Sequence, residues 1–174
     1  MTDRMIRRFT GPLARRVAQC SLLVITTLLM TVSLSAEGNG GRVKGTFILE
    51  GKDAKLQHIR AGRVKLDEKG KSGYAVLLSA RPAEGDLARW QTADPAEKGS
   101  FIFLLLEANG EVWVAELGHE ASSSGRFGVV TEVKAAPFTV KDDHLTATLR
   151  TAREEEFSGN HYRLDLTFDA PLEK

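Results

Sequence analysis

FIFLLLEANGEVWVAELG, residues 101–118, decides the fold class of this chain. Two apolar runs flank Asn109-Gly110, a dipeptide that tolerates positive φ at both central positions of a type I′ turn. A two-residue loop there sets Leu106 opposite Trp113, Leu104 opposite Ala115 and Ile102 opposite Leu117, a wholly apolar face that belongs in a core. The other face pairs Glu107 with Val112, Leu105 with Val114 and Phe103 with Glu116, and is mixed. Phe101, Phe103, Leu105, Val112 and Val114 on that face need a cover. The cover can come from the segment around Leu87 and Trp90, from a further strand layer, or from a ligand or partner. Trp90, Phe101, Phe103, Leu105, Val112, Val114 and Glu116 are therefore the candidate groove, with Glu116 as its rim carboxylate.

Outward from the hairpin the pattern stays β-like. RVKGTFILE (42–50) carries Phe47 and Leu49 on one face. KLQHIRAGRVKLD (55–67) is strand-like with a change of phase near Gly62, which reads as a bulge. YAVLLSA (74–80) is a short apolar strand. After the hairpin and the loop HEASSSG, RFGVVTEVK (126–134) reads as a strand broken by Ala135-Ala136-Pro137. HLTATLRT (144–151) and HYRLDLTFD (161–169) alternate cleanly, the second with Tyr162, Leu164, Leu166 and Phe168 inward. REEEFSGN (153–160) reads as a charged loop. Residues 84–97 are the one helical piece, capped by Asp86, with Leu87 and Trp90 on one face and Pro95 closing it. About eight strands with short connections predict an all-β, antiparallel two-layer β-sandwich with one short helical insertion; a β-barrel is the alternative.

The first 36 of the 174 residues differ from the rest. Arg4, Arg7, Arg8, Arg15 and Arg16 precede a charge-free run of 16 residues, 21–36, which ends in small residues. This is the pattern of a secretory signal peptide. Leu34 is large for a cleavage after Ala36, and cleavage after Ser35 fits better. An uncleaved anchor is the other reading, although the run is shorter than the ~20 residues of a spanning helix. The expected organisation is a signal (1–36), a Gly-rich leader (37–41) and one β domain (42–174). The expected location is the periplasm or the exterior, or the inner membrane if residues 21–36 remain.

Removing residues 1–36 leaves 19 basic and 22 acidic residues, a net charge of −3. That balance predicts no nucleic-acid partner. Cys20 is the only cysteine, and it leaves with the signal, so disulfides, thiolate nucleophiles and Cys-ligated metals leave with it. Cys20 follows Gln19 and precedes the apolar run, unlike a lipoprotein acylation site. Arg7-Arg8-Phe9 is a poor twin-arginine signal.

His58, His119, His144 and His161 fit no short metal-ligand spacing, and His119-Glu120 and Asp142-Asp143-His144 are the only local clusters of metal-friendly residue types. Ser122-Ser123-Ser124-Gly125 lacks a G-x-S-x-G elbow. Paired carboxylates are a matter of space rather than spacing, so a carboxylate-dependent hydrolase stays open. Glu154-Glu155-Glu156 reads as a solvated loop, and a weak calcium site there would need further oxygen ligands. The motifs call for no cofactor and no metal.

Gly45-Thr46-Phe47, Leu56-x-His58-x-x-Ala61, Val76-Leu77-Leu78-Ser79-x-x-Pro82 and the ending Phe168-Asp169-Ala170-Pro171 resemble a loose group of uncharacterised exported bacterial proteins. The resemblance implies a β-rich envelope protein and gives no residue a role. The reading that follows is an exported binding or accessory module of the cell envelope, acting on a small molecule or an envelope protein. A hydrolase of envelope material and a membrane-tethered structural protein are the alternatives.

Overall fold

A computed structural model describes residues 40–123, 125–129 and 133–174; the signal segment and residues 37–39 of the leader lie outside these. The strands are β1 (Arg42–Leu49), β2 (Lys52–Asp53), β3 (His58–Lys65), β4 (Ser72–Ser79), β5 (Phe101–Glu107), β6 (Val112–Gly118), β7 (Arg126–Gly128), β8 (Lys134–Lys141), β9 (His144–Arg150), β10 (Glu155–Phe157) and β11 (Asn160–Glu173). A 3-10 helix (Leu87–Thr92) and α1 (Pro95–Lys98) lie between β4 and β5.

The all-β fold is a sandwich, not a closed barrel. One layer is ordered β2-β1-β11-β9-β8, with β10 beside the start of β11. The other is β3-β4-β5-β6-β7. Strand β11 belongs to both. Residues 162–169 pair antiparallel with β1, and then Leu172 and Glu173 pair in parallel with Ala61 and Gly62 of β3. The sheet is thus mixed rather than wholly antiparallel. The alternation read over 161–169 continues through Ala170 and Leu172, both buried. Pro171 did not stop the strand, since Pro is tolerated wherever the ladder does not need its N–H.

The core lies between the layers. Phe47, Leu49, Leu149, Leu164, Leu166 and Phe168 from one layer meet Ile59, Val76, Leu78, Ile102, Leu104 and Leu117 from the other. A second apolar cluster sits outside the β3–β7 layer: Ala75, Leu77, Phe101 and Phe103 under Leu87 and Trp90.

The hairpin departs from its sequence reading in a way that decides its surface. Gly110 N–H donates to Glu107 O at 2.9 Å, Glu107 N–H donates to Glu111 O at 2.8 Å, and Gly110 has φ +88°. The loop is therefore three residues with a left-handed glycine, not a two-residue type I′ turn. The ladder agrees with the expected register from Phe101–Gly118 to Leu105–Val114 and then shifts, so that Leu106 faces Val112. Trp113 is the extra residue of this bulge. It is 39% exposed rather than buried opposite Leu106, with the Lys71 ammonium 4.9 Å from its ring centre. Val112 packs toward the main core instead of joining Leu105 and Val114. The two-residue hairpins lie elsewhere, at Glu50-Gly51, Asp142-Asp143 and Ser158-Gly159, where both central residues have positive φ.

Other differences have local causes. Gly62 is no bulge, because β3 and β4 pair without interruption from His58–Ser79 to Lys65–Ser72. Its apparent phase change arises because both faces of β3 are covered, Ile59 and Ala61 by the main core and Val64 by the outer cluster. The count is eleven strands rather than eight because Lys52–Asp53 and Glu155–Phe157 form within segments read as turn and loop, and because the single strand read over 126–134 is replaced by two, Arg126–Gly128 and Lys134–Lys141. The Ala135-Ala136-Pro137 break is a register irregularity within β8, which is an edge strand and so spares a donor at Pro137. Pro95 opens α1 at its first turn rather than closing the preceding helix.

Close approach to a buried aromatic ring leaves no room for a side chain at Gly118. Gly118 pairs with Phe101, and a Cβ there would lie 2.3 Å from the fully buried Phe101 ring. A Cβ on Gly62 would only touch Leu87 at 3.6 Å. Gly118→Ala should lower stability by about 2–3 kcal/mol through overpacking. Gly62→Ala should be neutral or stabilising by up to ~1 kcal/mol, through a less flexible unfolded chain. Urea midpoints of the two variants check the pair.

Candidate functional site: the strap over the outer sheet face

Residues 80–100 connect β4 to β5 by crossing the outer face of their own sheet. Two side-chain caps shape this strap. Asp86 accepts from Ala88 N at 3.0 Å and Asp94 accepts from Ala96 N at 2.9 Å, each starting one short helix. Leu87 and Trp90, three apart, point down onto the sheet. Trp90 is 5% exposed and meets Phe101 edge-on at 5.4 Å.

The candidate groove residues fall into two groups. Trp90, Phe101, Phe103 and Leu105 come together in the outer cluster. Val114 and Glu116 are half-buried beside it, paired with Leu105 and Phe103. Val112 is apart, on the core side. The segment around Leu87 and Trp90 provides the cover over Phe101 and Phe103.

Three arginines bolt the strap down. On β3, Arg60 Nε and Nη2 donate to the two Glu173 carboxylate oxygens at 2.6 and 2.7 Å, and its Nη1 donates to Gly85 O at 2.7 Å and Ala83 O at 3.3 Å. The Glu173 hydrogen bonds outweigh the cost of burial and raise the Arg60 pKa above its ordinary value. On β7, Arg126 Nη1 donates to Gln91 O at 2.9 Å and to Glu116 at 3.3 Å. Arg81, at the start of the strap, donates to Glu97 O at 3.4 Å and to the Glu120 carboxylate. A planar fork with several donors suits this task, because one side chain can hold a carboxylate and carbonyls together. None of these partners is close in sequence: Arg60 and Glu173 are 113 residues apart. Only the Asp86 cap and the Leu87/Trp90 spacing carry a local signal.

Two concavities flank the strap where residues 82–85 leave the sheet. One, of about 470 Å³, is lined by residues 58–60, 82–85 and Glu173. The other, of about 330 Å³, opens beside Trp90 and Ala93 with Arg81, Arg89, Lys98, Glu84 and Glu97 around it. Arg60 is committed to Glu173 and the strap carbonyls, so His58 and Glu84 are the side chains of the larger cleft left to meet a ligand. Its size is that of a small-molecule site.

The other sequence candidates are dispersed. His119 is buried and hydrogen-bonded at both ring nitrogens. His144 Nδ1 lies 2.8 Å from Asp169. The His161 amide donates to Glu50 at 2.7 Å. The described residues contain no group of three or more His, Cys, Asp or Glu placed to hold a metal ion. Ser122 donates to Asn160 Oδ1 at 3.2 Å. Glu155 and Glu156 lie in β10, with Arg153 3.7 Å from Glu155. No family model, curated protein or solved structure matches this chain.

If Trp90 holds the strap, Trp90→Ala should cost about 3 kcal/mol, the range for truncating a buried aromatic. Arg60→Lys, which keeps the charge but loses the fork, should cost about 1–2 kcal/mol. Denaturant titration gives both values. Limited proteolysis should cut Arg60→Lys first within residues 80–100.

Proposed function

We propose that the protein is an exported binding or accessory module of the cell envelope, and that the larger cleft beside the strap is where it takes a small molecule. The observation that carries the reading is the rigid construction of that cleft. Its floor is a strand, one wall is the end of β11, and the other is a strap fixed by a bidentate Arg60–Glu173 pair and two strap carbonyls. Sites preformed on strands spare a ligand the cost of ordering them. His58 and Glu84 supply hydrogen-bonding groups of both kinds at its mouth, which suits a small polar ligand. The basic start and apolar run of residues 1–36 support export.

Native mass spectrometry of the full-length protein, exported and gently extracted from a bacterial host, tests both halves. The expected result is a chain beginning near Ala36 or Glu37 with a bound small molecule. Pro82→Trp, which fills the cleft at an exposed position, should lose that molecule. A bare chain, or a ligand retained by Pro82→Trp, would overturn the cleft assignment. A mass that includes residues 1–36 would overturn cleavage and leave a tethered protein.

A further inference from the structure

His119 stands where the two layers meet at one end of the sandwich. It follows β6 directly, is 4% exposed, and packs edge-on against Phe47 of β1 at 5.2 Å. Both ring nitrogens are in use. Ala121 N–H donates to Nδ1 at 2.9 Å, which makes Nδ1 an acceptor and places the single proton on Nε2. Nε2–H then donates to Lys52 O of β2 at 3.1 Å. One neutral ring thus joins the loop after β6, in one layer, to β2, in the other. Around it, Glu120 N–H donates to Ser100 Oγ at 3.1 Å, and Ser122 reaches Asn160 of β11. A cavity of about 260 Å³ opens beside it, lined by residues 52–54, Ser100 and residues 119–121.

We propose that His119 is an acid-sensitive latch between the two layers. A second proton can enter only at Nδ1, and it turns an acceptor into a donor facing the Ala121 N–H. The imidazolium and the Ala121 amide must part, which releases the loop at residues 120–121 from the ring, while Nε2–H still ties the ring to Lys52 O of β2. The charged groups facing the site are Lys52 and Asp53 of β2 and Glu120 of the loop. Asp53 is paired with Lys55 and Glu120 with Arg81. Burial holds the His119 pKa below its ordinary 6.5, against the opposing pull of the Lys52 carbonyl, Glu120 and Asp53. Once the loop opens, Glu120 and Asp53 are the partners for the cation, so acid favours a defined open form and not merely a broken contact.

The sign follows from linkage. A histidine with a lowered folded-state pKa contributes its full stabilisation above about pH 6.5 and loses it as pH falls toward the folded value. One proton is taken up on opening, so in that window the open fraction rises about tenfold per pH unit. Free carboxylates titrate lower, near 4, so the two events separate.

The test is amide exchange of the full-length chain, corrected for intrinsic rates, with imidazole nitrogen shifts followed from about pH 7.5 to about 5. The expected result is that His119 titrates below 6.5 and that Ala121 protection falls about tenfold per unit in step with it, while Leu104 and Leu166 stay protected. His119→Asn, whose Oδ1 can accept from Ala121 and does not titrate, should show Ala121 protection independent of pH. Three results would overturn the latch: constant Ala121 protection in the native chain, the same loss in His119→Asn, or loss at Leu104 and Leu166 together with Ala121. The native-chain titration stands by itself if His119→Asn fails to fold.

Discussion

The parallel contact between the end of β11 and β3 is what makes two sheets into one sandwich. It is short, Leu172 with Ala61 and Glu173 with Gly62, and short parallel pairings are weak. Two reinforcements surround it. Leu172 is buried in the main core, and Glu173 receives the Arg60 fork. The same guanidinium holds the strap, so the element that joins the layers also positions the cover of the outer face and one wall of the larger cleft. Fold and candidate site share a residue pair, and damage to one reaches the other.

Strand positions were legible because they depend on period. Tyr162, Leu164, Leu166 and Phe168 alternate, and burial follows them residue for residue. The cover was legible too, since large apolar side chains on the second face of a hairpin need a partner, and Leu87 and Trp90 are the pair at helical spacing nearby. What stayed hidden is geometry set by one or two residues. The hairpin has an Asn-Gly signal, yet its loop is longer by one. That single residue moves Trp113 from the core list to the surface and Val112 the opposite way. A one-residue slip exchanges faces in a sheet, so a small error in turn type is a large error in surface chemistry.

The site was less legible than the fold for a related reason. Its polar contacts join residues far apart in the chain: Arg60 with Glu173, Arg126 with Gln91, and His119 with Lys52. None falls at a motif spacing. A histidine following a strand looks solvated from its neighbours, but His119 is buried because β1, β2 and the turn at Ala121 close over it. The charge of such a residue depends on partners that only the topology selects.

Magnitude decides what holds the strap and what merely places it. The Arg81–Glu120 pair is about half exposed on both sides, and exposed pairs contribute roughly 0–1 kcal/mol. Leu87 and Trp90 are buried, and burying side chains of that size contributes on the order of 2–3 kcal/mol each. The apolar face therefore fixes the middle of the strap, with Arg126 at Gln91 O beside it, and Arg60 and Arg81 hold the segments toward its ends. The larger cleft lies at the end where residues 82–85 depart, and Trp90 is not among its lining residues. On the proposed reading, a ligand would enter there without lifting the buried middle, and the outer cluster would stay closed around Leu87 and Trp90.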